Sequence, residues 1–120
     1  MVHLTSALVT FSPFWNFASR SLNTQAAKSA LRQSLELRGE ATGNMQIAMG
    51  WLYQPDTGNY WHNGATAAHS MYAFFNPKGD YAAVVLYNTS PGVHGSFAEV
   101  LGRHISQRLS GKPAISLTQY

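Results

Sequence analysis

The sequence predicts an α+β fold, an antiparallel β-meander of about four strands with an N-terminal and a C-terminal helix packed on one face. Three observations predict it. Apolar residues recur at helical spacing near both ends of the chain, β-branched and aromatic residues fill its middle, and the turn signals between the middle runs are short. Short connections join neighbouring strands antiparallel, because a parallel crossover needs about a dozen residues or more.

Residues 1–22 read as an irregular or partly helical lead, in which Leu4, Leu8, Phe11 and Trp15 fall near helical spacing and Pro13 breaks the turn. Residues 23–120 then form the domain proper. Asn23 is a good helix cap, and residues 24–38 place Ala27, Ala30, Leu31, Ser34 and Leu35 on one stripe. Gly39 follows where helices commonly leave through a left-handed residue. After a polar loop over 39–44, residues 45–53 read as a strand, Pro55-Asp56-Thr57-Gly58 as a turn, and 59–66 as a second strand. Residues 70–76 make a third, Pro77-Lys78-Gly79-Asp80 a tight turn, and 81–88 a fourth whose run Ala82-Ala83-Val84-Val85-Leu86 suits burial on both faces. From about His94 helical spacing resumes, with Phe97, Val100, Leu101, His104, Ile105 and Arg108 or Leu109 on one face, until Gly111 and Pro113 stop it.

Charge is scarce. Only 11% of the 120 residues are charged, against 45% hydrophobic and 12% aromatic, whereas an ordinary domain carries charge on about a quarter of its residues. The apolar content supplies a core and argues against disorder. The missing charge predicts apolar surface that another chain, or a further part of the same fold, covers. The net charge of +3 is spread from Arg20 to Lys112 without a run, which argues against nucleic-acid binding. The absence of cysteine excludes disulfides, thiolate catalysis and thiolate-held zinc. Residues 2–18 lack the basic start of an export signal, are interrupted by Pro13 and Asn16, and are too short to span a bilayer.

The candidate site is the segment from Tyr60 to Ser70, Tyr60-Trp61-His62-Asn63-Gly64-Ala65-Thr66-Ala67-Ala68-His69-Ser70. It sets an imidazole, an amide and a glycine at a strand end, followed by small residues that leave the backbone open to a ligand. A glycine within a strand commonly marks a bulge or the close approach of another backbone or ligand. Asp56 is the only charged residue between Ala41 and Pro77, so a ligand near His62 meets neutral polar groups and aromatic walls.

Those residues carry a resemblance. In order along the chain, Gly50-Trp51, the segment from Tyr60 to Thr66, Phe74-Phe75-Asn76-Pro77, the run from Ala83 to Asn88 and a final helix ending Leu109-Ser110-Gly111-Lys112-Pro113 resemble the C-terminal part of the serine β-lactamase-related family. That family includes class C β-lactamases, D-alanyl-D-alanine carboxypeptidases and related esterases and peptidases, penicillin-binding-protein-like enzymes that are often periplasmic or secreted. The resemblance runs from about residue 24 to residue 117 and implies the C-terminal portion of a β-lactamase-like, transpeptidase-like fold. It further implies acyl transfer on β-lactam, D-amino-acid peptide or ester substrates, with no cofactor.

In such enzymes a Ser-x-x-Lys serine is the nucleophile, a Tyr-x-Asn or Ser-x-Asn element relays protons, and a Lys/His-x-Gly strand forms the third wall. His62-Asn63-Gly64 resembles that third element, with His in place of Lys. By the same resemblance the backbone N–H of Ala65 is an oxyanion-hole donor, and Tyr60, Asn63, Gly64 and Thr66 face the substrate. A rigid N–H aimed at a developing oxyanion is commonly worth about 3 kcal/mol of transition-state stabilisation. A neutral imidazole at position 62 is expected to donate a hydrogen bond without the full charge of Lys, which favours ester or peptide substrates over efficient β-lactam hydrolysis.

The rest of the machinery is missing from these residues. Gln25, Phe75 and Leu109 stand three positions before the three lysines, so no Ser-x-x-Lys occurs, and no Tyr-x-Asn occurs either. The one Ser-x-Asn, Ser21-Leu22-Asn23, reads as a helix cap. The chain is therefore expected to be incomplete, one wall of a site whose other walls belong to the missing N-terminal part of the fold, and to be inactive alone.

Two other readings compete. A zinc site built from His62 and His69 with His94 or His104 is disfavoured, because odd spacing along a strand points the first two to opposite faces and no carboxylate follows at ligand spacing. A non-catalytic binding module would use Trp51, Tyr53, Tyr60, Trp61 and Tyr72 as an aromatic surface for a peptide, glycan or partner, although aromatic alternation on a sheet usually serves packing. His104 reads as a partly buried structural histidine, Asn88-Thr89-Ser90 as a strand-end turn, and Met45, Met49 and Met71 as core filler.

Overall fold

A computed structural model describes residues 7–12, 25–89 and 97–117, and for 7–12 only the backbone path. Asn23, His94 and the remainder of the lead lie outside the described residues. The chain is α+β, as expected, but among the described residues its antiparallel sheet has seven strands in place of about four. They are β1 (Ala7–Ser12), β2 (Gly39–Glu40), β3 (Gln46–Ile47), β4 (Leu52–Gln54), β5 (Asn59–Ala65), β6 (Ser70–Asn76) and β7 (Tyr81–Tyr87), with helices α1 (Gln25–Ser34) and α2 (Phe97–Leu109). Across the sheet the order is β1, β7, β6, β5, β4, β3, β2, so all but β1 form the expected meander.

The extra strands have two origins. Part of the lead expected to be irregular or helical is β1, paired antiparallel with β7 from Ala7 opposite Tyr87 to Ser12 opposite Ala82. Helical spacing in that lead was outweighed by the open edge of β7, whose unpaired backbone groups are satisfied by a sixth ladder. The single strand expected over 45–53 is instead a hairpin of β3 and β4, which turns where Gly50 takes a φ of 77° and the Ala48 N–H donates to the Trp51 carbonyl at 2.9 Å. A left-handed glycine in the middle of an apolar run is a turn signal.

The helices also differ from expectation. Only α2 packs broadly on the sheet, against β6 and β7, while no residue of α1 is buried. The end of α1 meets the other face, where the Tyr60 hydroxyl donates to the Leu35 carbonyl at 2.8 Å and the Met49 N–H to the Ser34 carbonyl at 3.0 Å. The helix does not leave through Gly39, which belongs to β2. It ends in tighter bonds, Leu35 N–H to Arg32 and Glu36 N–H to Gln33, and Arg38 Nη2 donates to the Gln33 carbonyl at 2.9 Å. Helix α2 does end as its sequence predicts. Gly111, at φ 75°, donates to the Arg108 carbonyl and Lys112 to the Gln107 carbonyl, the paired bonds of a Schellman cap.

Which side of α2 is buried was not legible from its large apolar residues. Ala98, Gly102 and Ser106 are its buried residues, a stripe of three small residues spaced four apart. The cause is close approach: a Cβ at Gly102 would stand 2.7 Å from Cγ of Tyr72. Tyr72, Phe74 and Ala83 form the core beneath, with Trp61, Tyr81 and Ile105 packed around them. Burial on both faces falls on β6, where Tyr72 through Asn76 are all buried, and not on β7 as expected. In β7 only Ala83 and Val85 are buried while Leu86 is 44% exposed, because the α2 face is covered and the opposite face is open at that row.

Candidate functional site

Strand β5 has two unlike ends. At its start Asn59, 1% exposed, is the centre of a buried polar cluster beneath α2. Its Nδ2 donates to Ser106 Oγ, while its Oδ1 accepts from the Tyr81 hydroxyl at 2.7 Å and from Asn76 Nδ2 at 3.0 Å. Asn76 Nδ2 also lies 3.2 Å from the Thr57 carbonyl, and Asn76 Oδ1 accepts from the Gly79 N–H at 2.8 Å. Four elements are thereby held at one point, and every buried side-chain donor and acceptor among the described residues has a partner.

The other end is exposed from His62 to Ala65. Strand β4 pairs with β5 only at Asn59, Tyr60 and Trp61, so among the described residues no strand covers the edge over 62–65. The orientation of that edge follows from the ladder. The Thr66 N–H donates to the His69 carbonyl at 2.8 Å, so residues 66, 64 and 62 aim their backbone groups at β6. By alternation the N–H and C=O of Asn63 and Ala65 point outward from the sheet edge. The Ala65 N–H therefore has the direction expected of an edge donor.

Side chains alternate in the same way. His62, Gly64 and Tyr60 share the face opposite α2, while Trp61 and Asn63 lie on the α2 face. His62 Nδ1 lies 2.7 Å from the Asn63 carbonyl oxygen, and Asn63 Nδ2 donates to Glu99 Oε2 in the first turn of α2 at 3.0 Å. A Cβ on Gly64 would meet only Met71, at 3.6 Å, an ordinary contact, so the neighbouring strand does not itself demand glycine there. Thr66 closes the β5–β6 turn, its Oγ1 accepting from the Ala68 and His69 N–H groups at 3.3 and 3.1 Å. The Tyr60 hydroxyl is engaged by Leu35, and burial, with Tyr53 beside it, raises its pKa above the ordinary tyrosine value. The structure thus brings His62, Asn63, Gly64 and Ala65 together along one edge and gives Thr66 and Tyr60 supporting bonds.

The five aromatic residues considered as one binding surface are divided between the two faces. Trp61 stacks on Tyr72 at 5.4 Å on the α2 side, whereas Tyr60 stacks on Phe75 at 5.2 Å, with Trp51 edge-on to the same Phe75 and Tyr53 against Tyr60. Among the described residues no three His, Cys, Asp or Glu side chains converge. His104 is engaged elsewhere, its Nδ1 2.7 Å from the Ile115 carbonyl oxygen. A groove of about 690 Å³ runs along the α2 face, lined by Trp61, Tyr72, Glu99, Arg103, Asp56 and Lys112 among others. No described helix is long and apolar enough to cross a membrane.

Sequence reasoning missed Glu99 and the Asn59 cluster. An acid in the first turn of a helix is ordinarily read as a partner for the helix dipole, and only the fold shows its carboxylate meeting Asn63. No protein-family model matches the chain, and comparison with curated proteins finds no match.

Proposed function

We propose that this chain carries the strand-edge wall of a serine acyl hydrolase, with His62 and Gly64 facing the substrate and the Ala65 N–H serving as an oxyanion donor. The observation that supports it most is the exposed β5 edge over 62–65, which aims the Asn63 and Ala65 backbone groups outward while the other end of the same strand is locked in the core. A donor on such a strand keeps its direction as charge develops on the substrate oxygen, so little reorganisation is needed. The substrates are amides or esters, with β-lactams, D-amino-acid peptides and simple esters as the classes the resemblance implies. The nucleophile is a serine outside these 120 residues, because no Ser-x-x-Lys occurs within them.

The test is to capture the native protein from its source cells with an antibody against α2 and treat it with a fluorescent penicillin and a fluorophosphonate. Covalent labelling of a serine in a Ser-x-x-Lys context, on the captured polypeptide or on one bound to it, is expected. The isolated 120-residue chain should remain unlabelled. Absence of labelling in the captured material overturns the hydrolase reading, and labelling of a serine within these 120 residues overturns the placement of the nucleophile.

A further inference from the structure

We propose that the groove along the α2 face binds a short neutral oligosaccharide, with Trp61 as its stacking floor and Asn44, Gln54 and Asp56 as its hydrogen-bonding wall. The inference stands apart from the hydrolase reading, since it uses neither His62 nor the open edge over 62–65, and it survives the failure of that reading. At about 690 Å³ the groove has the size of a small-ligand site.

The register of the sheet sets the floor. Trp61 stands opposite Leu52 and Asn59 opposite Gln54, and opposed residues share a face, so β4 and β5 deliver Gln54, Asn59 and Trp61 to the α2 side together. The Trp61 ring is partly exposed and is stacked on Tyr72 at 5.4 Å and 17°, which fixes its plane. A flat apolar ring held in one orientation suits the C–H face of a sugar ring. Asn59 and Ser106, both buried and bonded to each other, also line the groove, so its base is fixed before any ligand arrives.

The wall is a closed triangle of planar polar groups. Asn44 Nδ2 donates to Asp56 Oδ1 at 3.2 Å, and Gln54 Nε2 lies 3.4 Å from both Asp56 Oδ2 and Asn44 Oδ1. The three residues come from the loop before β3, from β4 and from the turn after it, and each holds the others in place. An ionised carboxylate can accept about four hydrogen bonds, and a side-chain amide has two N–H donors beside its acceptor oxygen. After their mutual bonds these groups still offer lone pairs from Asp56 and an N–H from Asn44. Two adjacent sugar hydroxyls satisfy that pairing, one donating and the other accepting.

Charge decides between ligand classes. Around the groove Asp56 and Glu99 are matched by Arg103 and Lys112, so its lining carries no net charge. A phosphate-bearing ligand calls for an excess of cations, which is absent from that lining. An apolar ligand would strip water from Asn44, Gln54 and Asp56 without replacing its bonds. A neutral, hydroxyl-rich ligand meets both conditions, and its ring faces supply the contact that Trp61 offers.

The test titrates maltotriose, cellotriose and triacetylchitotriose separately into the 15N-labelled 120-residue chain. Binding is followed by calorimetry and by the tryptophan indole N–H signals, with Trp51→Phe and Trp61→Phe used to assign them. At least one sugar should bind saturably and move the Trp61 indole, while the indole of Trp51, which lies on the opposite face against Phe75, stays in place. Asp56→Ala should weaken that sugar more than tenfold with the urea midpoint close to that of the unaltered protein, because the side chain is exposed. Asn44→Ala should weaken it in the same direction and tests the wall a second time. No saturable binding of any of the three at millimolar sugar overturns the proposal, as does a shift confined to the Trp51 indole or an affinity untouched by both alanine substitutions. Binding of trilysine or triglutamate in place of the sugars would make the groove a site for charged ligands, and overturns it too.

Discussion

The two ends of β5 carry the same kinds of residue to opposite purposes. At Asn59 an amide side chain is sealed under α2 and satisfied by Ser106, Asn76 and Tyr81, whereas four residues on, Asn63 lies exposed and its side chain donates to Glu99. The first end is fixed by burial, since an amide stripped of water must find its partners inside the protein. The second is fixed by being the continuation of the first, and its outward groups need no interior partner because they face solvent, the Asn63 carbonyl with the His62 ring 2.7 Å away. What the difference teaches is a division of labour along one strand: an interior anchor sets the direction of a backbone whose exposed part stays open to solvent.

The largest effect expected from breaking that arrangement comes from the anchor. Asn59→Leu removes the shared partner of Ser106, Asn76 and Tyr81, and leaves the Ser106 hydroxyl without its partner and the Tyr81 O–H without its acceptor in a space shaped for an amide. A loss of about 3 kcal/mol is expected, from the desolvation of groups left unpaired. Urea unfolding of the two proteins checks it. A loss below the level of a surface substitution would mean that β5 is held by its aromatic packing and not by the polar cluster.

The contrast also explains which parts of the molecule were readable from the chain. Strands β5, β6 and β7 and the end of α2 were legible because β-branched and aromatic runs, Pro-Asp-Thr-Gly, Pro-Lys-Gly-Asp and the glycine at 111 each have a local cause. The exposed segment taken as the candidate site was marked for a related reason: Gly64 stands out against the residues of a strand. Less local features were hidden. Nothing near Asn59 announces that Ser106, almost fifty positions later, will meet it, and nothing in 1–22 shows that Ala7–Ser12 will find the edge of β7. The stripe on α2 misled because burial was decided by how near the helix must come to Tyr72, which favoured Ala98, Gly102 and Ser106 over the larger side chains.

Between the two ends, Tyr72 stands opposite Asn63 in the ladder yet is 4% exposed, so it marks where the covered part of the sheet gives way to the open edge. Burial pushes the pKa of its hydroxyl well above the usual tyrosine value of 10.0; Arg103 lowers it and Glu99 raises it further, both by smaller amounts. In the unfolded chain the same hydroxyl ionises near its ordinary value, so the unfolded state releases a proton first as the pH rises. Stability contributed by the neutral buried hydroxyl is thus fully present below the unfolded pKa and is lost above it, by about 1.4 kcal/mol per pH unit until the folded group itself ionises. Urea midpoints measured from neutral pH upward should fall beyond the unfolded pKa, and Tyr72→Phe should flatten that fall relative to the unaltered protein. An unchanged slope would show that the hydroxyl ionises freely in the folded state and that the edge is more open at Tyr72 than its exposure indicates.

The smallest effect on stability is expected at the exposed end, and it is the sharpest test of the comparison. Glu99→Ala removes the acceptor 3.0 Å from Asn63 Nδ2 without disturbing the β5–β6 ladder. The bond is exposed, so water replaces it, and the change in unfolding free energy should be about 0.5 kcal/mol. The local consequence is larger than the global one: the Asn63 side-chain protons should exchange faster with solvent, while the Gly64 and His62 amides, bonded into β6, keep their protection. Glu99→Gln, which retains an acceptor oxygen, should restore part of the slow exchange. Equal loss of global stability in Glu99→Ala and Asn59→Leu would make the exposed end a second anchor, and the strand would then be held from both sides of α2.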